Sequence, residues 1–127
     1  MTKTAFLFAG QGAQYLGMGR ELYDQYAIVK DTIDQASQVL GYDLRDLIDN
    51  DETKLNQTRY TQPAILATSV AIYRLLKEKG YQPDMVAGLS LGEYSALVAS
   101  GALDFEDAVA LVAKRGAYME EAAPAGS

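Results

Sequence analysis

Apolar residues run along this chain in two rhythms. Residues 4–8 (TAFLF) and 85–89 (MVAGL) are short, nearly continuous apolar runs. Runs of this length ended by glycine or turn residues predict buried strands. Elsewhere the apolar positions recur at helical spacing, which predicts helices over 20–26 and 29–40, the second stopped by Gly41. Asp43 is placed to cap a short helix running to Ile48, and 49–58 reads as a polar connection. Pro63 opens the longest predicted helix, 63–79, whose final KEKG sets cations and a glycine at the C-terminal end. Gln82, Pro83 and Asp84 predict a turn. A helix over 91–100 ends at Gly101, and Asp104 caps the last one, 105–122, with Asp107 three residues on. Between the first strand and the first helix, AGQGAQYLGMG carries four glycines and must be a loop with uncommon backbone angles.

Strands alternating with helices predict an α/β fold, a parallel sheet with helices on both faces. The chain is 127 residues long, one domain's worth. Two strands are too few to complete such a sheet, and the final Ala-Pro-Ala-Gly-Ser is loop chemistry. The expectation is therefore the front part of something larger.

Composition narrows the classes. Hydrophobic residues make up 49% and charged residues 22%, as in ordinary globular proteins. Eleven basic against seventeen acidic residues leave a net charge of −6, which argues against a nucleic-acid or anionic-membrane surface. The sequence has no cysteine and no histidine. That excludes disulfides, a thiolate nucleophile, a Cys or His metal site, and a Ser–His or Cys–His pair within these residues. No apolar stretch approaches the ~20 residues of a membrane-spanning helix, and a cytoplasmic location is expected.

The sharpest motif is Gly88-Leu89-Ser90-Leu91-Gly92, a G-x-S-x-G between a predicted strand and a predicted helix. A nucleophilic serine needs this context: a tight turn lifts its hydroxyl to a helix N-terminus, where free N–H groups favour developing negative charge. The N–H of Leu91 is one candidate oxyanion donor. A second should come from the loop after the other strand, where Gly10 and Gly12 would let the chain aim the Gln11 N–H. Gly10-Gln11-Gly12 also begins a dinucleotide fingerprint, but Tyr15 stands where that pattern needs its third glycine.

On the last helix Phe105, Val109, Val112, Gly116 and Met119 share one arc, and Arg115 lies at its edge. A guanidinium on the buried side needs an anion. Its partner is either an Asp or Glu of the fold or a carboxylate on a substrate, which the arginine fork suits.

With these residues in view, GLSLGEYSALVASGALDFEDAVALVAKRG, FLFAGQGAQYLGMGREL at the start and TQPAILATSVA between them resemble the bacterial malonyl-CoA:acyl carrier protein transacylases over the whole chain. The resemblance implies a ping-pong acyltransferase of fatty-acid synthesis. Malonyl passes from coenzyme A to a serine, then to the phosphopantetheine thiol of acyl carrier protein, without cofactor or metal. It implies the α/β-hydrolase-like core of the acyltransferase fold, with 1–127 as the N-terminal part of its large subdomain. A small ferredoxin-like subdomain, the rest of the core and the catalytic histidine would follow in a C-terminal remainder, which becomes an expected partner. This segment alone is then expected to be inactive. By motif, Ser90 matches the acylated serine, Gln11 and Leu91 the oxyanion donors, Arg115 the arginine that pairs with the malonyl carboxylate, and Gln62 a polar position lining the pocket. Leu89 stands where the family usually has histidine, which implies an adjusted pocket and intact chemistry. Two other classes share some of these features: a serine esterase or lipase, and a non-catalytic carrier-binding module.

Overall fold

Two four-residue strands and seven helices are found among the described residues. The computed structural model describes residues 5–8, 10–81, 85–88 and 91–122. In chain order they are β1 (Ala5–Phe8), α1 (Arg20–Gln25), α2 (Ala27–Leu40), α3 (Leu44–Asn50), α4 (Glu52–Leu55), α5 (Thr58–Glu78), β2 (Met85–Gly88), α6 (Leu91–Ala99) and α7 (Phe105–Ala122). The two strands pair in parallel, with Ala5 opposite Met85 and Phe8 opposite Gly88.

The expected α/β architecture needs correction. The described residues do not form a parallel sheet with helices on both faces; helices dominate, and strand pairing among the described residues is this one pair of short strands. The physical reason lies in the segments between the strands. Their apolar positions repeat with the helical period, so they bury themselves as helix faces and supply no further strand.

Those faces make the core. On α2, Val29, Thr32, Ile33 and Ala36 are buried, the i, i+3, i+4, i+7 stripe of an amphipathic helix. The central helix α5 is covered nearly all round, burying Ala64 to Ala67, Val70, Ala71 and Leu75. On α7, Phe105, Ala108, Val109, Val112 and Gly116 face inward, close to the arc read from the sequence. Gly116 lets α7 cross the first turn of α5 at backbone contact. No helix of the described residues is long and apolar enough to cross a membrane.

Several boundaries match their chemistry. Asp43 accepts from the Asp46 N–H at 3.1 Å to start α3, and Asp104 accepts from the N–H groups of Glu106 and Asp107 to start α7. The segment 49–58 is not a plain connection: Asp51 accepts from the Lys54 N–H and starts the single turn α4. Then α5 begins at Thr58, so Pro63 is inside the helix and not at its start. Proline there removes one backbone bond. At the start of α5 the buried Thr61 hydroxyl donates to the Leu55 carbonyl while lying 2.9 Å from that of Gln57. The expected turn at 82–84 and the final Ala-Pro-Ala-Gly-Ser lie outside the described residues.

Candidate functional site

The parallel register sets the site's location. Because Phe8 pairs with Gly88, the loop that opens at Gly10 and the helix that opens at Leu91 both leave from the same end of the strand pair. Leu89 and Ser90 fall between β2 and α6 and lie outside the described residues. Leu91, the first residue of α6, is buried, as are Gly92, Ser95 and Ala96 behind it.

The glycine loop bends as its composition requires. Gly12 sits at φ 107° and Gly19 at φ 74°, both in the region that side-chain-bearing residues avoid. The Gly12 N–H is engaged by the Gln14 side chain at 2.8 Å, and the Gln14 amide nitrogen donates to Asn56 Oδ1 at 3.1 Å. The far end of the loop is fastened to α3. The Gly17 N–H donates to the Ile48 carbonyl at 2.8 Å. Arg45, 5% exposed, donates to the Met18 carbonyl and to Asp49, each at 2.7 Å. A buried arginine with one carboxylate and one carbonyl to satisfy it is an anchor.

Three of the sequence-derived residues meet around one buried amide. Gln62, on α5, is 1% exposed. Its Oε1 accepts from Arg115 Nη1 at 2.8 Å. Its Nε2 faces Gln11 Oε1 at 3.4 Å and Met119 Sδ at 3.1 Å. Gln11 itself is exposed, and its Nε2 donates to Thr58 Oγ1 at 3.1 Å. The Arg115 guanidinium also stands over the Tyr94 ring, 5.5 Å from its centroid, a cation–π distance. Arg115 is thus half-buried, with a neutral amide on one side and an aromatic face on the other.

Beside it a groove of about 420 Å³ is walled by Tyr94, Leu111, Arg115, Tyr118 and Met119. It is mostly apolar and carries the Lys114 and Arg115 cations. Tyr94, Met119 and Thr58 were not singled out as site residues. Only Met119 had a signal, its place on the α7 arc; the other two are brought in by helix packing.

The chain matches the acyl transferase domain model over residues 5–127. It belongs to the acyl transferase domain family. Among curated relatives, it is 54% identical over 127 residues to the malonyl CoA-acyl carrier protein transacylase of Bacillus subtilis strain 168, and 50% identical over 129 residues to that of Escherichia coli K12. Those matches take in 99% and 100% of this chain but 40% and 42% of the relatives, so the chain spans about 40% of their length. Of solved structures, the crystal structure of MCAT from Streptococcus pneumoniae superposes with TM-score 0.96 at 91% identity, over 98% of this chain and 41% of that one. A further acyl transferase match is the structure of a type II polyketide acyl carrier protein in complex with its malonyl-transacylase, with TM-score 0.95 at 50% identity, over 99% and 41% of the two chains.

Proposed function

We propose that this chain is the nucleophile-bearing N-terminal part of a malonyl-CoA:acyl carrier protein transacylase, the large subdomain's first portion, completed by C-terminal sequence like that of its relatives. The observation that carries the reading is Arg115, held by Gln62 and Tyr94 at the edge of a mostly apolar groove. An acyl group with a free carboxylate suits such a place, since the guanidinium fork binds carboxylate in two-point fashion while the apolar walls strengthen the attraction. The uncharged acyl groups of an esterase have no use for that cation. The relative solved with an acyl carrier protein supports a carrier as acceptor.

In this mechanism the Ser90 hydroxyl attacks the thioester carbonyl of malonyl-CoA. The main-chain N–H groups of Gln11 and Leu91 receive the oxyanion, and coenzyme A leaves as its thiol to give malonyl-Ser90. The phosphopantetheine thiol of the carrier then attacks the ester and the serine hydroxyl is restored. Each attack needs a general base. With no histidine among these 127 residues, the base comes from the C-terminal part, and the segment alone does not turn over.

The test joins residues 1–127 to the C-terminal remainder of the Streptococcus pneumoniae relative and incubates this full-length chain with malonyl-CoA. Mass spectrometry should find one malonyl group on Ser90, absent from Ser90→Ala. Rapid hydrolysis of p-nitrophenyl esters with no malonyl adduct would favour an esterase instead.

A further inference from the structure

The hydroxyl of Thr58 takes no part in starting its own helix. Gln57 precedes α5 without a side-chain capping bond, and Thr58 Oγ1 instead accepts from Gln11 Nε2 at 3.1 Å. Its neighbour Asn56 accepts from Gln14 in the same way. Two side chains of the glycine loop thus grip the two residues that flank Gln57, and between them lies Gly12, whose N–H Gln14 also holds.

The amide directions along this chain of contacts are not independent. Arginine has donors only, so Gln62 must turn its Oε1 toward Arg115 and its Nε2 toward Gln11. Gln11 must then present Oε1 to Gln62, which leaves its own Nε2 seeking an acceptor. Thr58 Oγ1 is that acceptor. The polarity of Arg115 is passed through Gln62 and Gln11 and ends at the first residue of α5.

We propose that Thr58 is a positioning residue, which by closing the run Arg115–Gln62–Gln11–Thr58 fixes the loop segment that carries the Gln11 main-chain N–H. This rests on the proposed function, in which that N–H faces the oxyanion. It makes Gln11 serve twice, its main chain toward the reaction and its side chain toward the scaffold. Two hydrogen bonds tie the carboxylate-reading arginine to the oxyanion loop, and the third ties that loop to the start of α5.

The experiment uses the full-length chain and compares Thr58→Val with Thr58→Ser, which keeps the hydroxyl. Thr58→Val should lower kcat for malonyl transfer about tenfold, the scale of one lost neutral hydrogen bond, with KM for malonyl-CoA little changed. Thr58→Ser should restore kcat to within about twofold. In a Gln11→Ala background, which keeps the main-chain N–H, Thr58→Val should add no further loss, because the coupling passes through the deleted side chain. A Thr58→Val chain equal to its parent, or one that loses as much with Gln11→Ala as without it, overturns the inference and leaves the proposed function standing. A parent that takes no malonyl onto Ser90 overturns both.

Discussion

Gly116 of α7 lies against the main chain of Arg59 in α5: a Cβ at 116 would stand 2.8 Å from the Arg59 α-carbon and 2.8 Å from the Thr58 carbonyl oxygen. Both obstacles are backbone, so no side-chain rotation can relieve them. The absent side chain at 116 brings Arg115, one residue earlier, within reach of Gln62, three residues beyond Arg59.

Gly116→Ala should therefore destabilise the fold by about 1–3 kcal/mol, the usual cost of overpacking a tight contact. It should also weaken malonyl transfer more than this loss of stability explains, because the helices must part where Gln62 meets Arg115. Chemical denaturation read beside kcat/KM in the full-length chain checks both halves. An unchanged denaturation midpoint would show that α7 can shift without cost.

Arg115→Ala should change which acyl group is carried. Charge-assisted hydrogen bonds to a carboxylate are worth about 1.5–3 kcal/mol, so the malonyl-to-acetyl preference should fall about tenfold or more. Gln62, left with a buried Oε1 to satisfy, adds a stability loss. Competition between malonyl-CoA and acetyl-CoA, with the acyl-serine products weighed, gives the ratio directly.

Gly12→Val places a β-branched residue at φ 107°, where strain arises even though nothing lies within 4 Å of the new Cβ. The loop should leave that conformation, and the adjacent Gln11 N–H should move with it. Loss of one oxyanion donor costs about 10²–10³ in kcat. Steady-state kinetics should show that loss in kcat, with the KM for malonyl-CoA nearly preserved.

Glu120 supplies the pH dependence. The Arg59 N–H donates to its carboxylate at 2.8 Å and the Arg59 guanidinium pairs with it at 2.6 Å, and these hold the carboxyl below its ordinary range. A carboxyl whose folded value is depressed contributes stability above its unfolded value and loses it as the pH falls through the folded one. Arg59 is 45% exposed along its side chain, so solvent screens the pair and the contribution is small. Glu120→Gln should flatten the acid limb of the stability curve between those two values and leave the alkaline limb as it was. Denaturant midpoints measured across the acid range test this.

Much of the helical layout is legible from residue type alone. Asp43 and Asp104 cap where cap chemistry puts them, and of the predicted arc Phe105, Val109, Val112 and Gly116 face inward while Met119 stays 41% exposed. Arg115 and Gln62 were singled out on separate grounds, and the fold joins them at 2.8 Å. Three things were not legible. A covered parallel sheet followed from the alternation of runs, yet β1 and β2 pair only with each other among the described residues. Pro63 marks a helix start by propensity, whereas the helix begins at Thr58, a turn and a half earlier. Arg45 reads as one charged residue of a short predicted helix and Thr58 as the end of a polar connection, and only packing turns one into a buried anchor and the other into the last acceptor of the Gln11 side chain.

The pairing of Ala5 with Met85 also orders the events of folding. All of α1 to α5 lies between the two strands, and a parallel pair cannot be closed by a tight hairpin. Bringing its ends together early would cost the entropy of a long open loop with only a few hydrogen bonds in return. Helix contacts close in sequence, such as α1 on α2 and α2 on α3, carry no such cost and form first. Docking of α5 then shortens the path, and β2 can find β1 only afterwards. Pairing of β1 with β2 is therefore expected late, after contacts such as Gly17 with Ile48 and Gln11 with Thr58 have fastened the glycine loop to the helices between the strands.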